Sequence, residues 1–131
     1  MGEFKREGEP GSVFGLQFVI DGGGSTIATG VKGDIQVPFK CTVLSVSTLA
    51  DQSGSIVVDI WKDTYANFPP TNADSITASA KPTISSATNS TDTTLTGWNK
   101  VINAGDVLRF NVDSCTSIQR ATISLKIIKN S

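Results

Sequence analysis

Val107-Leu108-Arg109-Phe110-Asn111-Val112-Asp113, the linker Ser114-Cys115-Thr116-Ser117, and Ile118-Gln119-Arg120-Ala121-Thr122-Ile123-Ser124-Leu125-Lys126-Ile127-Ile128 form the stretch that decides the fold. Leu108, Phe110 and Val112 alternate with Arg109, Asn111 and Asp113, and Ala121, Ile123, Leu125 and Ile127 alternate with Arg120, Thr122, Ser124 and Lys126. Period two gives each arm one apolar and one wet face. Asn103-Ala104-Gly105-Asp106 is a turn that opens the first arm, and Asp113 to Ser117 is a polar link, so the two arms read as an antiparallel hairpin. A hairpin with one greasy face must bury it against another sheet, and the rest of the chain has to supply that sheet.

The chain's 131 residues and 13.8 kDa fit one domain, and folding at this size buries roughly two-thirds of the unfolded surface. Charged residues are 18% and hydrophobic ones 38%, with 12 Gly and many Ser and Thr, the balance of a sheet protein rich in turns. The formal net charge of -1 and its scattered cations give no electrostatic case for nucleic acid or an anionic membrane. No apolar run approaches the ~18 residues of a bilayer span, so neither membrane insertion nor a signal peptide is expected. Histidine is absent, which removes the commonest general base and the commonest zinc ligand. No catalytic constellation or metal site is expected.

Cys41 and Cys115 are too far apart in sequence for a metal pair or redox motif. Both lie near expected strand ends, which leaves two readings: a disulfide, or two separate thiols with one in the core and one in a turn.

Residues 1–12 differ in composition from everything after them, with Glu3, Lys5, Arg6, Glu7 and Glu9 in a short run closed by Pro10 and Gly11. Met1-Gly2-Glu3-Phe4 has the composition of a tag scar. Gly8-Glu9-Pro10 and Gly11-Ser12-Val13 frame as triplets led by glycine, the only residue that fits the axis of a collagen triple helix, and equally as a Gly/Pro linker. The expected division is therefore a tag, linker or stem remnant over 1–12 and a single head domain over 13–131.

Along that head, Phe14, Leu16, Phe18 and Ile20 share one face of a first strand, which ends at Asp21-Gly22-Gly23-Gly24-Ser25. The same glycines resemble a phosphate loop of actin-like ATPases, but that fold needs two large α/β domains that 131 residues cannot hold. A short strand at 34–37 is ended by Pro38; Cys41 to Leu49 is a second β-branched run; Ala50-Asp51-Gln52-Ser53-Gly54 reads as a turn. Ser55 to Lys62 is the clearest central strand, with Ile56, Val58 and Ile60 inward and Val57, Asp59 and Trp61 outward. Beyond 63 the pattern dissolves into a loop with one helical turn near 73–76. Lys81 to Ser85 is a short strand, and the Ser/Thr/Asn tract from Ala87 to Thr93 reads as an exposed turn. The count is about eight short strands, an all-β antiparallel sandwich of jelly-roll type.

Long loops in small sandwiches often carry binding residues. Here Trp61, Tyr65 and Phe68 stand beside Asp63, Asn67, Asn72 and Asp74, a composition that suits a sugar platform: rings stack on pyranose C–H groups while acids and amides take hydroxyls. The competing reading is that these aromatics anchor the loop to the body. An enzyme would need two carboxylates about 5 to 9.5 Å apart across a cleft, and Asp59 with Asp63 is the best pair the chain offers.

Phe18-Val19-Ile20-Asp21-Gly22-Gly23-Gly24-Ser25, Gly30-Val31-Lys32-Gly33-Asp34-Ile35, Ser53-Gly54-Ser55-Ile56-Val57-Val58-Asp59-Ile60-Trp61-Lys62 and Ala104-Gly105-Asp106-Val107-Leu108-Arg109-Phe110 resemble head modules of phage and prophage tail-fibre or other virion proteins, which often follow collagen-like repeats. The resemblance runs from about Val13 to Lys129. It implies a non-enzymatic homotrimeric head on a virion or extracellular surface fibre, without cofactors, that sets chain register and contacts a host cell-surface glycan or protein receptor. Under it, outward Val57 and Trp61 are candidates for the intersubunit surface. A stand-alone carbohydrate-binding module, or a C1q- or tumour-necrosis-factor-like head on a collagen stalk, are the alternative readings.

Overall fold

The computed structural model describes residues 9–130. The fold is all-β: strands β1 (Val13–Asp21), β2 (Gly30–Gln36), β3 (Cys41–Asp63), β4 (Thr83–Asp92), β5 (Val101–Ile102), β6 (Val107–Thr116) and β7 (Arg120–Lys129), with two 3-10 turns at Tyr65–Asn67 and Asn72–Asp74. They form one curled antiparallel sheet in the order β1-β7-β3-β6-β2, with β4 and β5 on the other edge of β3.

The apolar alternation of the C-terminal arms is as expected, but their partner is not. β6 and β7 do not pair with each other; both pair with β3, and in one nearly continuous register. Cys41 faces Lys129, Ala50 faces Ala121, Ser55 faces Thr116 and Asp63 faces Val107. What reads as a hairpin is therefore one long arm interrupted by a turn at 117–119, laid against a single 23-residue strand. The expected turn at 50–54 is the stretch of β3 opposite that interruption.

Three contacts hold this corner. The Asp51 carboxylate accepts from the backbone N–H of Gln119 and of Arg120, both at 3.1 Å. The Gln52 amide donates to the Ser117 carbonyl, and Ser117 itself turns with φ 68°. Gly54 leaves room there, since a Cβ would strike the Thr116 carbonyl and come within 2.8 Å of Ile118 Cγ1.

Past the corner the two halves of the sheet face each other like a sandwich. Phe18 of β1 stacks on Phe110 of β6 with centroids 4.4 Å apart, although β1 joins the first half of β3 only through β7 and β6 pairs with the second half. Around them Ile20, Val43, Val46, Ile123, Leu125 and Ile127 meet Ile56, Val58, Ile60, Leu108 and Val112, all buried. The tract 87–92, expected as an exposed turn, belongs to β4, which follows β3 across the corner from Asp92 opposite Val46 to Thr83 opposite Val57. Only Ile84 and Ala87 of that strand join the core, so its sequence carries little apolar period.

Cys41 and Cys115 are free thiols. Cys41 sits at the start of β3, whereas Cys115 faces Ile56 beyond the corner, far outside the ~5.5 Å Cα spacing of a disulfide. Burial raises the pKa of both thiols. The disulfide reading is thus replaced by the two-thiol one. At the N-terminus, the Gly11 N–H donates to the Lys129 carbonyl at 2.8 Å and Gly11 has φ 85°, a left-handed turn rather than the extended φ of about −75° of a collagen chain. Gly11-Ser12-Val13 is part of the head, and residues 1–8 of the stem reading lie outside the described residues.

Candidate functional site

The two outer faces of the curled sheet differ. On the half formed by β2, β6 and the second part of β3, residues 64–82 leave β3 and fold back over the surface. Register fixes what lies beneath them. Asp34 pairs with Arg109 and Gln36 with Val107, while across β6 Arg109 pairs with Trp61 and Val107 with Asp63. Because Leu108 and Phe110 point into the core, Asp34, Gln36, Arg109 and Trp61 point out.

Above this floor the 3-10 turn Tyr65–Asn67 and the residue that caps it, Phe68, carry two rings. Tyr65 is 71% exposed and Phe68 48% exposed, the only aromatic side chains among the exposed large hydrophobics of the described residues. With Asp34, Gln36 and Val107 they line an open recess of about 490 Å³. Arg109 braces it from below: Nε donates to Asp34 Oδ1 at 2.7 Å, Nη2 donates to Oδ2 at 3.1 Å, and the guanidinium lies 5.2 Å from the Phe68 centroid. Its hydrogen bonds to the Asp34 carboxylate push the guanidinium pKa up, so Arg109 stays charged. Gln36 Nε2 donates to the Gly105 carbonyl at 3.2 Å, leaving its amide oxygen for another partner.

The loop is fastened by a buried acid. Asp59, 5% exposed, accepts from Ser75 Oγ and Thr77 Oγ1 at 2.7 Å each, from Trp61 Nε1 at 3.0 Å and from the Ile60 N–H at 2.8 Å. Lys81 Nζ stands 3.8 Å away and also meets Asp113 at 2.7 Å. Ile76 N–H donates to the Ile60 carbonyl, and Trp98 Nε1 donates to the Ala80 carbonyl at 2.8 Å. The outward carboxylate of the central strand is therefore a latch, saturated with donors.

Of the residues singled out in the sequence, the structure brings Tyr65 and Phe68 to the recess and puts the others to different work. Asp63 accepts from the Thr64 N–H at 2.7 Å and Asn67 Nδ2 at 3.4 Å, and Asp74 accepts from the Thr71 N–H at 2.8 Å, so both acids shape the 3-10 turns. Asn72 is an exposed residue of the second turn and does not line the recess. Trp61 is half-buried, with its N–H spent on Asp59, and Val57 is half-buried beside Thr83 and Ser114. Asp59 and Asp63 do not form the cleft a glycanase needs, since Asp59 is closed to solvent by its donors. Asp34, Gln36 and Arg109 were missed, because nothing in the loop's own sequence points to strands 29 and more residues away. The available signal was charge: Asp34 and Arg109 occupy outward positions of two strands and have opposite sign.

Among the described residues no group of three or more His, Cys, Asp or Glu is placed to hold a metal. No helix among them is long and apolar enough to cross a membrane. No family model, curated protein or solved structure matches this chain.

Proposed function

We propose that this chain is a non-enzymatic recognition head of a fibre-type virion or extracellular surface protein, assembled as a homotrimer of jelly-roll-like sandwiches, which contacts a host-surface saccharide at the Tyr65–Phe68 recess. The observation that carries the reading is the exposure of these two rings above Asp34 and Gln36. Every phenylalanine other than Phe68 is at least partly packed against the core within the described residues, and both tryptophans spend their N–H internally. Two exposed rings on a latched loop offer flat apolar faces at low ordering cost, and the carboxylate and amide beside them suit sugar hydroxyls. Arg109 balances the charge of Asp34, which favours a neutral pyranose over an acidic sugar. A monomeric carbohydrate-binding module would use the same recess, so assembly state separates the two readings.

Titration of a panel of neutral and acidic oligosaccharides by NMR tests the ligand. Saturable shifts at Tyr65 and Phe68 with neutral sugars, weakened about tenfold or more in Tyr65→Ala and Phe68→Ala, are expected. Equal responses of wild type and both variants would remove the recess from the account.

A further inference from the structure

We propose that the bare outer face of β1, β7 and the first part of β3 is where copies of this chain pack on one another. The inference rests on the trimeric-head reading and gives that assembly a surface different from Val57 and Trp61, which lie on the other half of the sheet beneath and beside the 64–82 loop.

Strand register defines the face row by row. Val19, Thr122 and Leu49 lie in one row with Asn89; Gln17, Ser124 and Ser47 in the next with Thr91; Gly15, Lys126 and Ser45 in a third; Val13, Ile128 and Thr42 in the last with Val101. Four of the eight exposed large hydrophobics of the described residues lie in these rows, Val13, Val19, Leu49 and Val101, with Val13 and Val19 more than half exposed, and a fifth, Leu44, sits at the bulge of β3 next to Ser45. The polar members largely satisfy one another, since Ser47 Oγ meets Thr91 Oγ1 at 2.9 Å and Gln17 Nε2 donates to Ser124 Oγ at 3.4 Å. Lys126 is the one charge in the four rows. Charged groups gather at the rim instead, where Arg120 meets Asp21 at 3.9 Å and Asp51 caps the corner. The two middle rows are polar and hold that single charge, while the exposed apolar side chains of the rows lie at the two ends; a charge-poor face with apolar ends inside a charged rim is a surface that can be desolvated against another. Four strands at ~4.8 Å spacing, seven residues long at ~3.4 Å each, give a face of roughly 450 Å² in plan.

Three features name the occupant as a second copy. The first is the free edge beside the face: β1 pairs with β7 without a bulge, has no strand partner on its other side among the described residues, and carries no Lys or Pro and one charge, Asp21. Such an edge is ordinarily blunted or covered, and covering it extends the contact toward the ~800 Å² per partner of a standard interface. The second is charge. Lys126 of one copy has Asp21 and Asp51 of a neighbour's rim as complements, whereas a chain of net charge -1 offers no field for a strongly charged foreign partner. The third is where the chain enters. Gly11 N–H donates to the Lys129 carbonyl and Lys129 N–H to the Ser12 carbonyl at 2.9 Å, directly beside the Val13 and Ile128 row. On the trimeric-head reading the three chains enter their heads at this row, so the heads meet at this edge.

The test is light scattering during size-exclusion chromatography on the full chain and on Val19→Glu/Leu49→Glu, with Val31→Glu, an exposed residue of β2, as the control. Circular dichroism and cooperative melting confirm that each variant folds. The expected result is an oligomeric wild type and control and a monomeric double variant at the same concentration. A double variant that keeps the wild-type mass overturns the face while leaving the trimeric head standing; a monomeric wild type overturns both.

Discussion

Arg109 and Asp34 form a two-point ion pair, at 2.7 and 3.1 Å, that lies beneath the Phe68 ring and ties β6 to β2 at the floor of the recess. The pair is a planar fork, which lysine cannot reproduce. Arg109→Lys keeps the charge and loses the second hydrogen bond and the ring contact, so it should cost about 1 kcal/mol, and Arg109→Ala about 2 kcal/mol because Asp34 is left without its partner. Urea unfolding of both variants measures this. Equal stability of wild type and Arg109→Ala would mean that the pair braces nothing.

Asp59 is the largest single commitment outside the apolar core. Asp59→Ala strands the hydroxyls of Ser75 and Thr77 and the indole N–H of Trp61 beneath the loop, and a loss of about 2 to 4 kcal/mol is expected. Asp59→Asn keeps the shape but reverses one donor–acceptor relation, so an intermediate loss follows. Limited proteolysis supplies the specific readout: cleavage within 64–80 should rise before global unfolding. A variant destabilised throughout, with no preferential cleavage there, would show that Asp59 serves the body and not the loop.

Asp51 gives the pH dependence. Its carboxyl pKa is lowered, first by the Arg120 backbone N–H and then by that of Gln119. A depressed folded pKa means that the contribution is complete above the unfolded value near 3.9 and is lost as pH falls through the folded value. The corner should therefore loosen only in strong acid, and Asp51→Asn should lower stability across the neutral range and flatten the acid limb, with the two proteins converging in strong acid. An unchanged acid limb would place the proton uptake elsewhere.

Much of the sheet was legible in the sequence, because a two-sided strand writes its burial as alternation: β1, β6, β7 and the second half of β3 all show it. What the alternation leaves open is which strand lies next to which. The polar run 113–117 is compatible both with a hairpin and with a corner in one long arm, and only the constant register against β3 decides between them. β4 was illegible for a different reason, since an edge strand of Ser, Thr and Asn with few buried side chains has the composition of a turn. The recess was half legible. Aromatic residues in a long irregular loop marked Tyr65 and Phe68, whereas Asp34 and Gln36 join them through the pairing of β2 with β6, a contact between residues some seventy positions apart.

The most direct test of the trimeric recognition head is sedimentation equilibrium on the full chain over a wide concentration range, with residues 9–12 retained because Gly11 and Ser12 are bonded to Lys129. A single species at three times the 13.8 kDa chain mass, persisting into the low micromolar range, is predicted. A mass of one chain throughout would contradict it and leave a monomeric binding module built around Tyr65 and Phe68.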